Sequence, residues 1–360
     1  MKKTGVLMVN LGTPDSYEKK DVAKYLNEFL MDGRVIDVSY LMRLFLVKVI
    51  IVPFRSGKVS KEYKKLWLEN GSPLLVYGKE LRKKVSEKFG DDIPVELAMR
   101  YQSPSIESGL DNLRRQGVNH IIVFPLFPQY ASATTGSVAE KVMDLVSKWN
   151  VIPDIQFLNS YHEDSRYISC FAEKLKNDVE KHKPDHVLFS YHGIPERHLD
   201  NMNQGTVPYC KRPDCTCSKG DTENSFCYRS SCFQTSNLIA EGAGLPITKY
   251  TTSFQSRLGK DPWIKPYTDA TIEELAKKGI KNLLVISPSF VADCLETTLE
   301  IGEQYKELFE EHGGTTFNYT LSLNAEDKWA EAVYQIISDL LPKTQNSENL
   351  NIKKSEHTII

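Results

Sequence analysis

The strongest constraint on this chain is an alternation of two hydrophobic periods. Short β-branched runs occur at Val6–Asn10, Val95–Met99, Ile121–Pro125, His186–Tyr191 and Leu283–Ser287. Between them lie amphipathic stretches such as Ser105–Gln116 and Ala270–Lys278. Strand, helix, strand in repetition predicts parallel sheets covered on both faces. The 360 residues, 41% apolar and 26% charged, leave room for two such units and exclude a collagen-like, fully disordered or disulfide-scaffold chain.

The two halves echo each other. Val6-Leu7 with Gly12-Thr13-Pro14 matches Val187-Leu188 with Gly193-Ile194-Pro195, and Leu11 then stands opposite His192. A second echo pairs Pro125-Leu126-Phe127 with Pro288-Ser289-Phe290, and Thr134-Thr135 with Thr297-Thr298. Both fall at strand-to-helix junctions and predict two similar α/β lobes. Ligands of open parallel sheets bind beyond the carboxyl ends of the strands. Those ends, Asn10–Pro14, Pro125–Thr135, His192–Pro195 and Ser287–Glu296, are expected to meet in one cleft.

Charge narrows the partners. The formal net charge is −2, so there is no basic excess for a nucleic-acid backbone. No P-loop or complete G-x-G-x-x-G is present, so no nucleotide is expected. No secretory signal opens the sequence, and no run of about 20 uncharged apolar residues predicts a spanning helix. The stretch 41–54, LMRLFLVKVIIVPF, reads either as a buried helix or lid, or as an apolar lip for a bilayer or a flat ligand. Five of the seven cysteines fall between 210 and 232. Without an export signal the expected compartment is the reducing cytosol, where such a cluster reads as a metal or iron–sulfur site.

Three segments can carry chemistry. Ser190 to Pro195 holds His192 on a rigid turn at a strand end; it is either a metal ligand or base, or a capping histidine bonded to a carbonyl. Asp293 to Glu300 places Asp293, Glu296 and Glu300 on one helical stripe, suited to a divalent cation or to a solvated helix start. Gln129 to Ser137 is a run of small and hydroxyl residues, either a polar cradle or a plain N-cap cluster.

In this order the segments resemble the ferrochelatases, which insert ferrous iron into a porphyrin. The matching motifs are VNLGTPD at 9–15, FLMDGRVID at 29–37, GSPL at 71–74, MRYQSPSIE at 99–107, FPQYASATTGS at 127–137, SYHGIPERH at 190–198, TTSFQSRLGKDPWIKPYTD at 251–269 and SFVADCLETTLE at 289–300.

The resemblance implies an α/β fold of two Rossmann-like lobes. Each has a four-stranded parallel sheet flanked by helices, with a porphyrin cleft between them. The expected division is a lobe over 1–160 with an apolar lip at about 29–54, and a lobe over 161–341 with a Cys-rich insertion at about 205–233. The tail 342–360 reads as disordered. By resemblance His192 and Glu296 are the catalytic and metal-binding residues on opposite faces of the macrocycle, with Asp293 and Glu300 continuing an acidic path. Leu11, Phe29, Leu30, Arg100, Tyr101, Tyr130, Ser132, Gln255, Ser256 and Trp263 occupy porphyrin-binding positions. The implied reaction is that of a lyase completing protohaem from protoporphyrin IX and Fe²⁺; the same chemistry on coproporphyrin III is the alternative. Some relatives carry an internal [2Fe–2S] cluster. Four of Cys210, Cys215, Cys217, Cys227 and Cys232 would bind it here, with a structural zinc as the alternative. The expected location is cytoplasmic, peripheral at the inner face of the membrane through the lip. No feature fixes an oligomeric state.

Overall fold

A computed structural model describes residues 3–202, 226–257 and 261–342. Among these residues eight strands form two parallel sheets. They are β1 (Thr4–Gly12), β2 (Val95–Tyr101), β3 (His120–Pro125), β4 (Asp154–Phe157), β5 (His186–His192), β6 (Tyr250–Gln255), β7 (Asn282–Ile286) and β8 (Thr316–Thr320). The first sheet runs β2-β1-β3-β4 and the second β6-β5-β7-β8. Each lobe thus uses the same order, second-first-third-fourth, as the sequence echo implies. The two-lobe α/β fold expected from the sequence is present.

Backbone detail repeats with the topology. Gly12 ends β1, and Gly193 directly follows β5. A Cβ on Gly12 would stand 2.1 Å from the Tyr101 carbonyl oxygen, and one on Gly193 would stand 2.9 Å from that of Gln255. Both glycines let the strand end close on its neighbour. The residue after β2, Gln102, and the residue after β6, Ser256, both have φ of +67°. The second echo also has a structural counterpart. Both Thr-Thr pairs lie in π-helical turns, Ser132–Gly136 and Glu296–Tyr305, that follow the third strand of their lobe. Such turns are rare and cluster at functional sites.

The lobes share one core. Phe124 of β3 stacks on Tyr161, which meets Tyr167 and Trp329 edge-on or tilted. Tyr167 Oη donates to the Pro288 carbonyl at 2.8 Å, beyond the end of β7. The helix Asp327–Asp339 follows β8 yet lies along Pro73–Phe89 of the first lobe, where Lys84 Nζ reaches Asp327 at 2.6 Å. Ser72 caps Pro73–Phe89 by accepting from the Leu75 amide, and Pro73 sits where the first helical residue has no bond to give.

The stretch 41–54 is an exposed helical lip. An α-helix over Tyr40–Phe45 passes through a π-helical turn, Leu46–Ile51, into Val52–Leu66. Pro53 has no amide proton to donate, and the wind widens just before it. Only Val47 of the first two segments is buried, whereas Leu41 is 76% and Phe54 82% exposed. No helix among the described residues is long and apolar enough to cross a membrane.

Candidate active site

A cavity of about 240 Å³ lies between the lobes at the carboxyl ends of the strands. Leu11, Gly12 and Thr13 come from the end of β1, and His192 to Pro195 from the end of β5. Ser289 to Glu296 enter after β7, and Phe29, Tyr63 and Leu66 come from the helices on either side of the lip. The walls are chiefly aliphatic and aromatic. Among the described lining residues, Glu296 is the one carboxylate.

His192 is held in a defined tautomer. Its Nδ1 lies 2.6 Å from the Gly193 carbonyl oxygen. A carbonyl only accepts, so Nδ1 carries a proton, and in the neutral imidazole the lone pair is then on Nε2. The Trp263 ring flanks the imidazole, with centroids 6.5 Å apart. The backbone around it is equally fixed. Gly193 N–H donates to Gln255 O at 2.8 Å, and Tyr228 Oη donates to His192 O at 2.8 Å.

Glu296 opens the π-helical segment Glu296–Tyr305 and faces neutral groups. Burial pushes the Tyr25 and Tyr63 phenols well up, and the Glu296 carboxylate adds to both shifts. Burial raises the Cys294 thiol in the same way, again with Glu296 beside it. The carboxylate thus sits among two phenols and a thiol that stay protonated at neutral pH, inside an apolar wall. A carboxylate in such surroundings draws a cation to it.

The acidic stripe divides. Asp293 is buried, and its oxygens accept from Thr297 Oγ1, the Ser322 amide and Asn324 Nδ2. Glu300 accepts from Gln255 Nε2 at 3.1 Å, Ser256 Oγ at 2.5 Å and Tyr305 Oη at 3.0 Å. Of the three carboxylates only Glu296 lines the cavity. The physical reason is the partners each one meets: Gln255, Ser256 and Tyr305 draw Glu300 to the end of β6, and Asp293, which precedes the helical segment, is held by Ser322 and Asn324. Among the described residues no three His, Cys, Asp or Glu side chains converge on one point.

The porphyrin-binding positions divide likewise. Leu11, Phe29 and Trp263 line the cavity with His192 and Glu296. Leu30 is buried at the end of Lys19–Leu30 and does not reach it. Arg100 Nη2 and Tyr101 Oη both turn to Asp32, at 2.6 and 2.9 Å. Ser137 Oγ completes that knot. Tyr130 packs edge-on against Phe226, and Ser132 accepts from Arg34 at 2.9 Å. Their neighbours Gln129 and Ala131 face the cavity instead, because the backbone is extended through Ala131 and alternate residues point apart. Gln255 and Ser256 hold Glu300, as above.

Of the cysteines, Cys210, Cys215 and Cys217 lie outside the described residues. Cys227 is half-buried at the N-cap of Tyr228–Gly242. Cys232, one turn further on, is fully buried in the core. Tyr25, Tyr63, Tyr228 and His198 line the cavity without having been singled out from the sequence. Tyr25, Tyr63 and Tyr228 sit on helices whose apolar faces read as core. The GSPL motif was visible, and its Ser72, Pro73 and Leu74 reach the cavity.

Comparison with known proteins agrees with this geometry. A family model described as Ferrochelatase matches residues 3–341. The ferrochelatase of Legionella pneumophila (strain Paris) is 43% identical over 337 residues, covering 94% of this chain and 99% of its own. That of Coxiella burnetii (strain Dugway 5J108-111) is 44% identical over 332 residues, 92% of each chain. Among solved structures, SirB from Bacillus subtilis with Fe³⁺ superposes with a TM-score of 0.53 at 14% identity, over 97% of this chain and 98% of SirB, a likeness of fold. The chain belongs to the ferrochelatase family, enzymes that insert a metal ion into a porphyrin in haem biosynthesis.

Proposed function

We propose that this enzyme inserts Fe²⁺ into protoporphyrin IX, forming protohaem and releasing two protons. The observation that carries this reading is the pairing of His192, whose Nδ1 is spent on the Gly193 carbonyl, and Glu296 in one largely apolar cavity. A free-base porphyrin is flat and carries two pyrrole N–H groups. Inserting a divalent ion replaces both protons, so charge balances when two acceptors take them. His192 Nε2 and Glu296 are those acceptors, and both also suit ferrous iron as transient ligands. The aromatic and aliphatic walls exclude water and bend the macrocycle with binding energy.

The exposed apolar lip supports a hydrophobic substrate taken up at a membrane surface, and hence protoporphyrin IX rather than the more carboxylated coproporphyrin III. With a cytosolic chain, that contact is peripheral and at the inner face. For the cysteines we propose a [2Fe–2S] cluster on Cys210, Cys215, Cys217 and Cys227. Cys232 is left out because its thiol is buried in the core against Tyr228, where burial holds it protonated. Bound there, the cluster would brace the insertion and takes no part in the steps above.

Anaerobic mixing with Fe²⁺ and either porphyrin, followed by loss of free-base absorbance, tests the reading. Rapid loss with protoporphyrin IX that vanishes in His192→Ala is expected. Loss with coproporphyrin III alone would change the substrate, and no loss with either while porphyrin still binds would overturn the activity.

A further inference from the structure

The peptide joining His192 to Gly193 is pinned at both of its polar atoms. Its N–H donates to Gln255 O across the β5–β6 pair, and its carbonyl accepts from Tyr228 Oη, each at 2.8 Å. The next carbonyl along the chain, that of Gly193, takes the Nδ1 proton of the His192 ring. The imidazole is therefore hung from a frame one peptide long. On the β7 side, strand pairing has already stopped, at Phe189 with Ile286. A side chain has to supply the missing bond there, and the one that does is Tyr228.

Tyr228 is well placed to hold that position. It is 5% exposed and begins the helix Tyr228–Gly242. Bonds to both lobes fix this helix. Tyr191 Oη and Ser236 Oγ lie 3.0 Å apart, and Gln129 Nε2 from the first lobe donates to Thr235 Oγ1 at 3.0 Å. The phenol is thus anchored at its helix and spends its single O–H on the His192 carbonyl.

We infer that Tyr228 is a positioning residue for metal insertion: its hydroxyl sets the His192–Gly193 peptide and, through it, the aim of His192 Nε2. The inference rests on the reading of His192 as the reacting group. Tyr228→Phe keeps the ring and removes only the hydroxyl. It is expected to lower kcat about fivefold, the worth of one hydrogen bond, with porphyrin affinity unchanged and Tm lowered no more than in Ser236→Ala, which also loses one buried bond. The ¹⁵N-resolved Nδ1–H signal of His192, assigned by its absence in His192→Ala, should shift or broaden in the same variant. Ser236→Ala loosens the same helix about two turns beyond Tyr228 and should leave both readouts near wild type.

Wild-type kcat together with an unmoved His192 signal in Tyr228→Phe would overturn the inference. So would equal losses of kcat and Tm in Tyr228→Phe and Ser236→Ala, because the effect would then be general packing. Substantial turnover in His192→Ala would sink the reading of His192 itself, and the imidazole signal in Tyr228→Phe would still decide whether Tyr228 orders the ring.

Discussion

Arg197 clasps Asp37 through two nitrogens, with Nε 2.9 Å from Oδ2 and Nη2 reaching Oδ1. Asp37 leads into the exposed lip, and Arg197 stands five residues beyond His192. His198 Nε2 lies 3.2 Å from the same carboxylate, and Arg197 Nη1 reaches Asp261. The segment that carries the imidazole is therefore latched to the segment that borders the mouth of the cavity.

A fork-shaped guanidinium makes this latch, and an ammonium cannot reproduce it. Arg197→Lys is expected to raise the porphyrin KM about fivefold while kcat changes less than about twofold. That corresponds to roughly 1 kcal/mol for a charge-assisted bond whose side chains are partly open to water. Steady-state kinetics at two salt concentrations measure it. The defect should shrink at high salt, where the wild-type pair is itself screened.

Asp32 ties the FLMDG and MRY motifs together. Burial acts most strongly on its carboxyl and pushes it up, but Ser137, the Arg34 amide, Arg100 and Tyr101 outweigh it and hold the group below the usual carboxylate range. A group depressed on folding stabilises fully above its unfolded pKa, and the gain is lost as pH falls through the folded one. Asp32→Ala should cost about 3 kcal/mol near neutrality, because Arg100 keeps its bonds to Ser137 but is left largely buried without a counter-charge. Urea midpoints at pH 7 and in the acid limb check this. The difference from wild type should narrow toward low pH, and a difference that does not change with pH would remove Asp32 as the titrating group.

The same knot marks where the sequence becomes hard to read. β1, β3, β5 and β7 are runs of Val, Ile and Leu buried on both faces, and they stand out as such. β4, β6 and β8 were not picked out. All three are edge strands, and DIQF, YTTSFQ and TFNYT carry the polar and Thr-rich composition that an edge tolerates. The pairing of His192 with Glu296 was legible because both follow central strands at the sheet ends. That Arg100 turns to Asp32, and Gln255 and Ser256 to Glu300, was not legible. Those bonds join residues 44 to 68 positions apart and depend on the closed fold. The π-helical wind after β7 was not legible either, because nothing in the residue types of Glu296–Tyr305 separates i→i+5 from i→i+4 bonding.

Gly193 gives a sharper test of the pinned turn. An added Cβ would meet the Gln255 carbonyl oxygen at 2.9 Å and Trp263 Cε3 at 3.2 Å. The carbonyl cannot retreat without lengthening the bond it accepts from the Gly193 amide. Gly193→Ala should therefore displace the His192 turn and lower kcat more than about tenfold, with a stability loss of about 1–3 kcal/mol from overpacking. Turnover is compared with the urea midpoint. Wild-type kcat in a folded variant would mean the turn can shift without consequence.

Loss of the Glu296 carboxylate should be felt in the chemistry and hardly in the fold. Glu296→Gln keeps the shape of the side chain and removes a proton acceptor, which is expected to slow insertion by about 10²-fold. Porphyrin fluorescence titration should give near wild-type affinity, because the walls that bind the macrocycle are apolar. A rate within twofold of wild type would assign Glu296 a structural role.

The lip separates membrane contact from catalysis. Leu41 and Phe54 are 76% and 82% exposed, so replacing them removes little packing from the folded chain. Burying each in a bilayer is worth about 2 kcal/mol, and losing both should weaken partitioning by about two orders of magnitude or more. Leu41→Glu with Phe54→Glu is therefore expected to abolish co-sedimentation with phosphatidylglycerol–phosphatidylcholine vesicles. Tm should be unchanged and turnover of detergent-dispersed porphyrin should stay within about twofold of wild type, whereas turnover of porphyrin preloaded into vesicles should fall with binding. Retained vesicle binding would move the contact to another surface. A loss of turnover in detergent equal to that in vesicles would instead make the lip part of the porphyrin site, since the loss would then follow the cavity and not the bilayer.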